Sequence, residues 1–275
     1  MLTHLLPSGH SIPMLGLGTF NLRDDDGARA IAAAIDMGYS HLDTAAGYDN
    51  EEIVGRGIRA SRVSREELFV TTKVGRDHLA PDDVRGICEN SLMVMQVDYV
   101  DLLLIHWPNQ DIPLRDTLGA FGRLVEEGKV RHVGISNFNR RRVDEAVSLS
   151  PVPIVTNQVE YHPHLDQEAL RQHCAKQNIL LTAYSPLAQG KIITDPTLSS
   201  LAQQREKSAA QVALRWLLQK GIAVIPKASS VAHMEANLDL FDWYLSDEEM
   251  DTIASIETVH RVIDWWPGNF AEDAL

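Results

Sequence analysis

A chain of 275 residues with 44% hydrophobic and 23% charged side chains has the apolar content for a sizeable core and lacks the composition of a disordered chain. Thirty-eight acidic residues against 25 basic ones give a formal net charge of −13, the wrong sign for a nucleic-acid or anionic-membrane face. Cys88 and Cys174 are too few for a disulfide framework and too far apart for a metal knuckle, and neither a leader peptide nor an apolar run of membrane-spanning length is visible, so a cytoplasmic protein is expected.

The first expected element is a small hairpin, because Pro7-Ser8-Gly9 is turn chemistry between the apolar flanks Leu5-Leu6 and Ile12-Pro13. Such a hairpin could plug one end of a domain. Strand runs follow at residues 15–18, 40–42, 68–72, 99–105, 130–135, 154–159, 179–182 and 222–225. Helical periodicity is clearest at 27–37, 82–95, 114–127, 140–148, 167–177 and 208–220, with a further helix after Tyr48. Pro81-Asp82-Asp83 reads as a helix start and Glu127-Gly128-Lys129 as a helix exit. Short buried strands alternating with amphipathic helices predict βα units around a parallel sheet. Eight units in 275 residues leave about 34 each, the size of a βαβ module. No linker or charge block divides them, so one (β/α)8 TIM barrel forming a single domain over 1–275 is expected. An open doubly wound sheet is the structural rival, since periodicity does not distinguish closure from an open edge.

In a parallel barrel the active site lies at the carboxyl ends of the strands. Asp43, Lys73 and His106 end three successive strand runs, and Tyr48 follows Asp43 in the next loop. Neighbouring strands are about 4.8 Å apart, so these side chains can meet. An adjacent ammonium stabilises phenolate and lowers the pKa of a tyrosine, while a carboxylate keeps that ammonium charged and oriented. Taken singly, Asp43 could be a loop cap, Tyr48 a packed aromatic and His106 a hydrogen-bonded strand-end histidine. Their convergence on one face points to proton chemistry.

These residues, in this order, resemble the aldo-keto reductase family. Gly38-Tyr39-Ser40-His41-Leu42-Asp43-Thr44-Ala45, with Tyr48-Asp49-Asn50-Glu51 and Val54-Gly55, is similar to its first signature. Lys129-Val130-Arg131-His132-Val133-Gly134-Ile135-Ser136-Asn137-Phe138 resembles the second, and Ile225-Pro226-Lys227 with Asn237-Leu238 the third. Gly16-Leu17-Gly18-Thr19-Phe20, Thr72-Lys73, Leu104-Ile105-His106-Trp107-Pro108, Asn157-Gln158-Val159-Glu160 and Ala183-Tyr184-Ser185-Pro186-Leu187 fill the intervals, so the likeness runs from about residue 5 to about residue 260.

The resemblance implies an enzyme that binds NADPH or NADH at the carboxyl face of the barrel and reduces aldehydes or ketones. By it, Tyr48 is the general acid, Lys73 lowers its pKa, Asp43 pairs with Lys73 and His106 orients the carbonyl. The cofactor would meet Gly18, Thr19 and Asp43. Ser136, Asn137 and Gln158 would hold its carboxamide, Tyr184 would stack on the nicotinamide, and Ser185 and Leu187 would meet the pyrophosphate. Lys227, Ser229, Ser230, His233 and Asn237 match the adenosine end. Phe20, Tyr48, His106 and Trp107 would line the substrate pocket, with Trp265 and Trp266 either joining them or packing as ordinary core. A C-terminal substrate loop belongs to the same pattern.

Departures from the family pattern matter for detail. Ala228 stands where a serine usually follows the lysine, and His233 where an arginine usually grips the 2′-phosphate of NADPH. A histidine lacks the bidentate guanidinium fork, so appreciable use of NADH is predicted beside NADPH. Gly75 stands where many relatives carry a tryptophan, which predicts a pocket enlarged on that side. Among its relatives the chain most resembles the bacterial branch of 2,5-diketo-D-gluconate reductases and broad-range aldehyde or β-keto ester reductases.

Other signals carry less. Gly55-Arg56-Gly57-Ile58-Arg59-Ala60 matches a dinucleotide pattern but falls within a predicted helix, which marks it as a chance match. His162, His164 and His173 are expected at the surface, without a metal. Arg140-Arg141-Arg142 opens a helix and reads as a solvated face. A small carbonyl substrate, no nucleic-acid or membrane partner and a monomer are expected. The rival functional class is a non-catalytic interaction protein on the same fold.

Overall fold

The computed structural model describes residues 2–263. The chain opens with β1 (Thr3–Leu5) paired antiparallel with β2 (Ser11–Pro13). There follow β3 (Leu17–Gly18), α1 (Asp24–Asp36), β4 (His41–Asp43), α2 (Glu51–Ala60), β5 (Phe69–Val74), α3 (Pro81–Met95), β6 (Val100–Ile105) and α4 (Leu114–Glu126). The second half runs β7 (Val130–Ser136), α5 (Arg140–Leu149), β8 (Ile154–Glu160), α6 (Glu168–Lys176), β9 (Leu180–Tyr184), α7 (Pro196–Arg205), α8 (Ala209–Gln219), β10 (Ala223–Val224), α9 (Val231–Leu238) and α10 (Asp247–Ala254).

Strands β3 to β10 form one sheet in sequence order, every neighbouring pair parallel. Parallel bridges Leu15–Val224 and Gly18–Lys227 join its first edge to its last. Gly16 N donates to Val224 O at 2.8 Å and Gly18 N to Pro226 O at 3.1 Å. The sheet is therefore a closed (β/α)8 barrel, and the open doubly wound alternative is excluded. Closure brings backbones close: a Cβ on Gly18 would stand 2.6 Å from Ile225 O.

Every residue of β5, β6 and β8 is buried, because the barrel interior covers one face and the helices the other. That is why the strands read as continuous apolar runs rather than as alternating ones. The helices turn one apolar stripe inward, as α4 does with Leu118, Phe121 and Leu124. Helices α7, α9 and α10 add to the segments expected from periodicity. Each carries a local start signal, with Asp195, Ser230 and Ser246 capping the first turns.

The hairpin covers the amino ends of the strands. His41, first in β4, has Nδ1 3.2 Å from Pro13 O, and His10 Nδ1 lies 3.2 Å from Nε2 of His132 near the start of β7. The carboxyl ends are left for the site. The segment Gly55–Ala60 is helical, inside α2. Gly55 lies against the last residue of α3, where a Cβ would meet Met95 O at 2.1 Å, so its glycine serves helix packing.

Candidate active site

At the carboxyl ends of the strands lies a cavity of about 1030 Å³. Asp43 closes β4, and Lys73 is the penultimate residue of β5. His106 follows β6 and is set by its own N–H donating to Val74 O at 3.0 Å. Tyr48 ends a short 3-10 turn over Ala46–Tyr48, which Asp49 closes at a φ of 54°. Asn50 ties that loop to the one after β3, its Nδ2 donating to Thr19 O at 2.8 Å and Leu22 O at 3.0 Å.

Lys73 is fully buried and joins these residues: Nζ donates to Asp43 Oδ1 at 2.5 Å, to Thr44 O at 2.7 Å and to Tyr48 OH at 3.4 Å. The other Asp43 oxygen accepts from Gln158 Nε2 at 2.7 Å. Phe20 and His106 present ring edges to Tyr48, with centroids 5.0 and 5.6 Å away.

Burial alone would lower the pKa of Lys73, but Asp43 and Tyr48 outweigh it and hold the ammonium above its usual value. Burial raises Tyr48 above the ordinary phenol value, and Lys73 pulls it down only in part. The sequence expectation of a lowered tyrosine is corrected here, because desolvation of the phenolate exceeds the attraction of one ammonium already shared with Asp43. Burial, with Lys73 adding to it, pushes His106 down to about 3, so it is a neutral imidazole near pH 7.

A second group sits beside the first. Asn137, at a φ of 63°, donates through Nδ2 to His106 O at 3.0 Å and to Ser136 Oγ at 3.1 Å. Its Oδ1 accepts from Tyr184 OH at 2.9 Å, and Ser136 Oγ donates to Gln158 O at 2.8 Å. Gln158 faces the cavity, and its Oε1 has no hydrogen-bond partner among the described residues. That acceptor suits an amide N–H, as a nicotinamide carboxamide would offer. With Tyr184 held by Asn137, and with Lys227 lining the same cavity, the residues fit a nicotinamide dinucleotide.

Of the residues expected from sequence, Gly18, Thr19, Phe20, Asp43, Tyr48 and His106 line the cavity. So do Trp107, Asn137, Gln158, Tyr184, Ser185, Leu187 and Lys227. Lys73 and Ser136 lie behind this lining, fully buried. Ser229, Ser230, His233 and Asn237 stand outside it. Lys227 Nζ donates to Ser229 Oγ at 3.1 Å, and Ser230 Oγ accepts from His233 N at 3.3 Å to cap α9. Trp265 and Trp266 fall outside the described residues.

The sequence reading missed Arg76, Asp77, Gln189 and Ile263, all of which line the cavity. Arg76 and Asp77 were findable, since they follow β5 at the carboxyl face, on the side where Gly75 stands. Nothing local marked Ile263.

His162 and His164 are buried, which corrects their expected surface placement. Nε2 of His162 is 3.0 Å from Glu160 Oε1, and that of His164 is 2.8 Å from Asp195 Oδ2. Buried carboxylates draw these rings inside the fold by pairing with one nitrogen of each, while Nδ1 of His162 is buried without a hydrogen-bond partner among the described residues. Among the described residues no group of three or more His, Cys, Asp or Glu could hold a metal, and no helix is long and apolar enough to cross a membrane. Both cysteines are buried, and neither is in a disulfide among the described residues.

The model of the Aldo/keto reductase family matches residues 14–258. Among curated proteins, a glyoxal reductase of Bacillus subtilis (strain 168) is 42% identical over 258 residues, covering 94% of this chain and 93% of that protein. An aldo-keto reductase from a Medee basin deep-sea metagenome library superposes with a TM-score of 0.91 at 38% identity, over 94% of this chain and 96% of the other. A candidate 2,5-diketo-D-gluconic acid reductase B superposes with a TM-score of 0.88 at 42% identity, over 92% and 91% of the two chains.

Proposed function

Because the chain belongs to the aldo/keto reductase family, and is thereby an NAD(P)H-dependent oxidoreductase of carbonyl groups, we propose that it reduces aldehydes and ketones to alcohols with Tyr48 as general acid. The observation that carries this reading is Lys73 Nζ, which touches both Asp43 Oδ1 and Tyr48 OH at the cavity floor.

A bound nicotinamide dinucleotide supplies the hydride. The chain supplies everything around it. Its raised pKa keeps Tyr48 protonated at neutral pH, so a proton is present to give to the carbonyl oxygen. Lys73 then stabilises the phenolate left behind, and Asp43 holds Lys73 in place. His106, neutral near pH 7, donates an N–H to the same oxygen without competing as an acid. Asn137 and Gln158 would hold the carboxamide, Tyr184 would pack on the nicotinamide ring, and Ser185, Leu187 and Lys227 would meet the rest of the cofactor.

NADPH and NADH both serve in this reading, since His233 lacks the fork that an arginine would offer a 2′-phosphate. Aldehydes come first among substrates, with the glyoxal reductase likeness in support. Keto-sugar acids and β-keto esters are the other classes to test. A monomeric, single-domain cytoplasmic enzyme without nucleic-acid or membrane partners completes the proposal, consistent with the net charge of −13. The test is a panel of these carbonyl compounds run with each cofactor, following oxidation at 340 nm. Turnover of aldehydes is expected, and inertness towards every carbonyl would favour a non-catalytic interaction role.

A further inference from the structure

Glu160 ends β8, two residues beyond Gln158, and its side chain is entirely removed from solvent. Three donors converge on it. Val262 N donates to Oε1 at 2.6 Å, Ile263 N to Oε2 at 2.9 Å, and His162 Nε2 lies 3.0 Å from Oε1. A carboxylate so deep in the fold is tolerated only when hydrogen bonds replace its water. Burial pushes its pKa up, but His162 and the two backbone amides outweigh burial and leave it below the usual carboxylate range.

Two of the three donors come from the chain more than 100 residues away, past the end of α10. The same segment is tied twice more, by His260 N donating to His164 O at 2.9 Å and by Lys191 Nζ at 2.9 Å from His260 Nε2. His164 is in turn fixed by Asp195. The consequence lies in the cavity, where Ile263 is part of the wall. None of the proton chemistry assigned to Asp43, Tyr48, Lys73 and His106 uses Glu160.

We propose that Glu160 is a positioning residue that seats the segment 260–263 so that Ile263 walls the carbonyl pocket, and that through Ile263 it sets which substrates bind well. This rests on the reading of the cavity as a carbonyl-reducing site. Substrates with an apolar body long enough to reach Ile263 depend on the seat, and two-carbon aldehydes do not.

The test is Glu160→Gln in the full chain. An amide in place of the carboxylate sets an NH2 group against one of the two backbone N–H groups, donor to donor. With 2-naphthaldehyde KM should rise about tenfold. With glycolaldehyde, kcat and KM should stay within about twofold, as should cofactor affinity by fluorescence titration. In an Ile263→Ala background Glu160→Gln should add nothing to the naphthaldehyde KM. Hydrogen exchange should show Val262 and Ile263 amides protected in the wild type and released in the variant. Equal losses on both aldehydes, or additive effects with Ile263→Ala, would mark a merely structural residue and overturn the proposal. If Glu160→Gln does not fold, wild-type exchange decides, since freely exchanging amides at 262 and 263 would overturn it. An active wild type with an unchanged variant sinks this inference alone, whereas a wild type inert towards every carbonyl sinks the reading of the site first.

Discussion

Gln158 Nε2 lies 2.7 Å from Asp43 Oδ2, joining residues 115 positions apart, and Lys73 takes the other oxygen of the same carboxylate at 2.5 Å. Asp43 is thus held from two strands at once. With the Lys73 and Asp43 side chains only 0% and 3% exposed, neither charge can turn to water if the other is lost.

Asp43→Asn should therefore destabilise the fold by about 3–5 kcal/mol, the cost of leaving one buried charge unpaired. Urea denaturation at pH 7 measures it. Adding Lys73→Met to the same variant should restore part of the loss, and an Asp43→Asn protein as stable as wild type would show that water reaches Lys73.

Tyr48→Phe keeps the ring between Phe20 and His106 and removes only the hydroxyl. Carbonyl reduction should fall by about 10²–10⁴-fold, the range of a lost general acid. Cofactor binding, followed by fluorescence titration, should persist. Near-normal turnover would reassign the proton donor.

Three histidines give the stability a pH dependence with a definite sign. Burial lowers His41, takes His106 to about 3 and, with His10 adding to it, takes His132 to about 4, against an ordinary value of 6.5. Below pH 6.5 the unfolded chain binds protons that the folded chain refuses, so stability falls as pH drops from 6.5 towards 4. Urea midpoints at pH 7 and pH 5 should show the drop, and His132→Asn should shrink it. An equal drop in the variant would exclude His132 as a contributor.

Cofactor choice should be relaxed. The ratio of kcat/KM for NADPH over NADH should be modest in the wild type, and His233→Arg should raise it by about tenfold or more through a fork that grips the 2′-phosphate. A wild-type preference for NADPH of ~10³-fold or more would count against the role given to His233.

Two glycines should respond oppositely to alanine. At Gly55 a Cβ would stand 2.1 Å from Met95 O, so Gly55→Ala should cost about 1–3 kcal/mol through overpacking. At Gly86, in α3, nothing lies within 4 Å of the same atom. There the change should be neutral or should stabilise by about 0.5–1 kcal/mol. Thermal melts of the two variants compare them directly.

Much of this molecule is legible in its sequence, for an identifiable reason. Strands buried on both faces must be apolar throughout, so Val100–Ile105 announces itself and the polar residue that ends such a run, as His106 does, stands out. Asp43, Lys73 and His106 were findable because a strand's end is a local property. The unexpected helices are instructive too: α10 is short, but Ser246 with Glu249 is a capping box written in the chain.

The sequence by itself determined the number and order of the βα units and the identity of the polar strand ends, because both follow from local periodicity and side-chain chemistry. Only the tertiary structure decided what depends on distance through space. Closure rests on Leu15 meeting Val224, and the inside placement of His162 and His164 rests on the carboxylates of Glu160 and Asp195. The upward direction of the Tyr48 pKa reflects how much water is excluded around it. The wall made by Ile263 exists because the carboxylate of Glu160, more than 100 residues earlier in the chain, accepts from the returning backbone at Val262 and Ile263. Desolvation and long-range pairing are sums over neighbours, and the neighbours are set only when the chain has closed on itself.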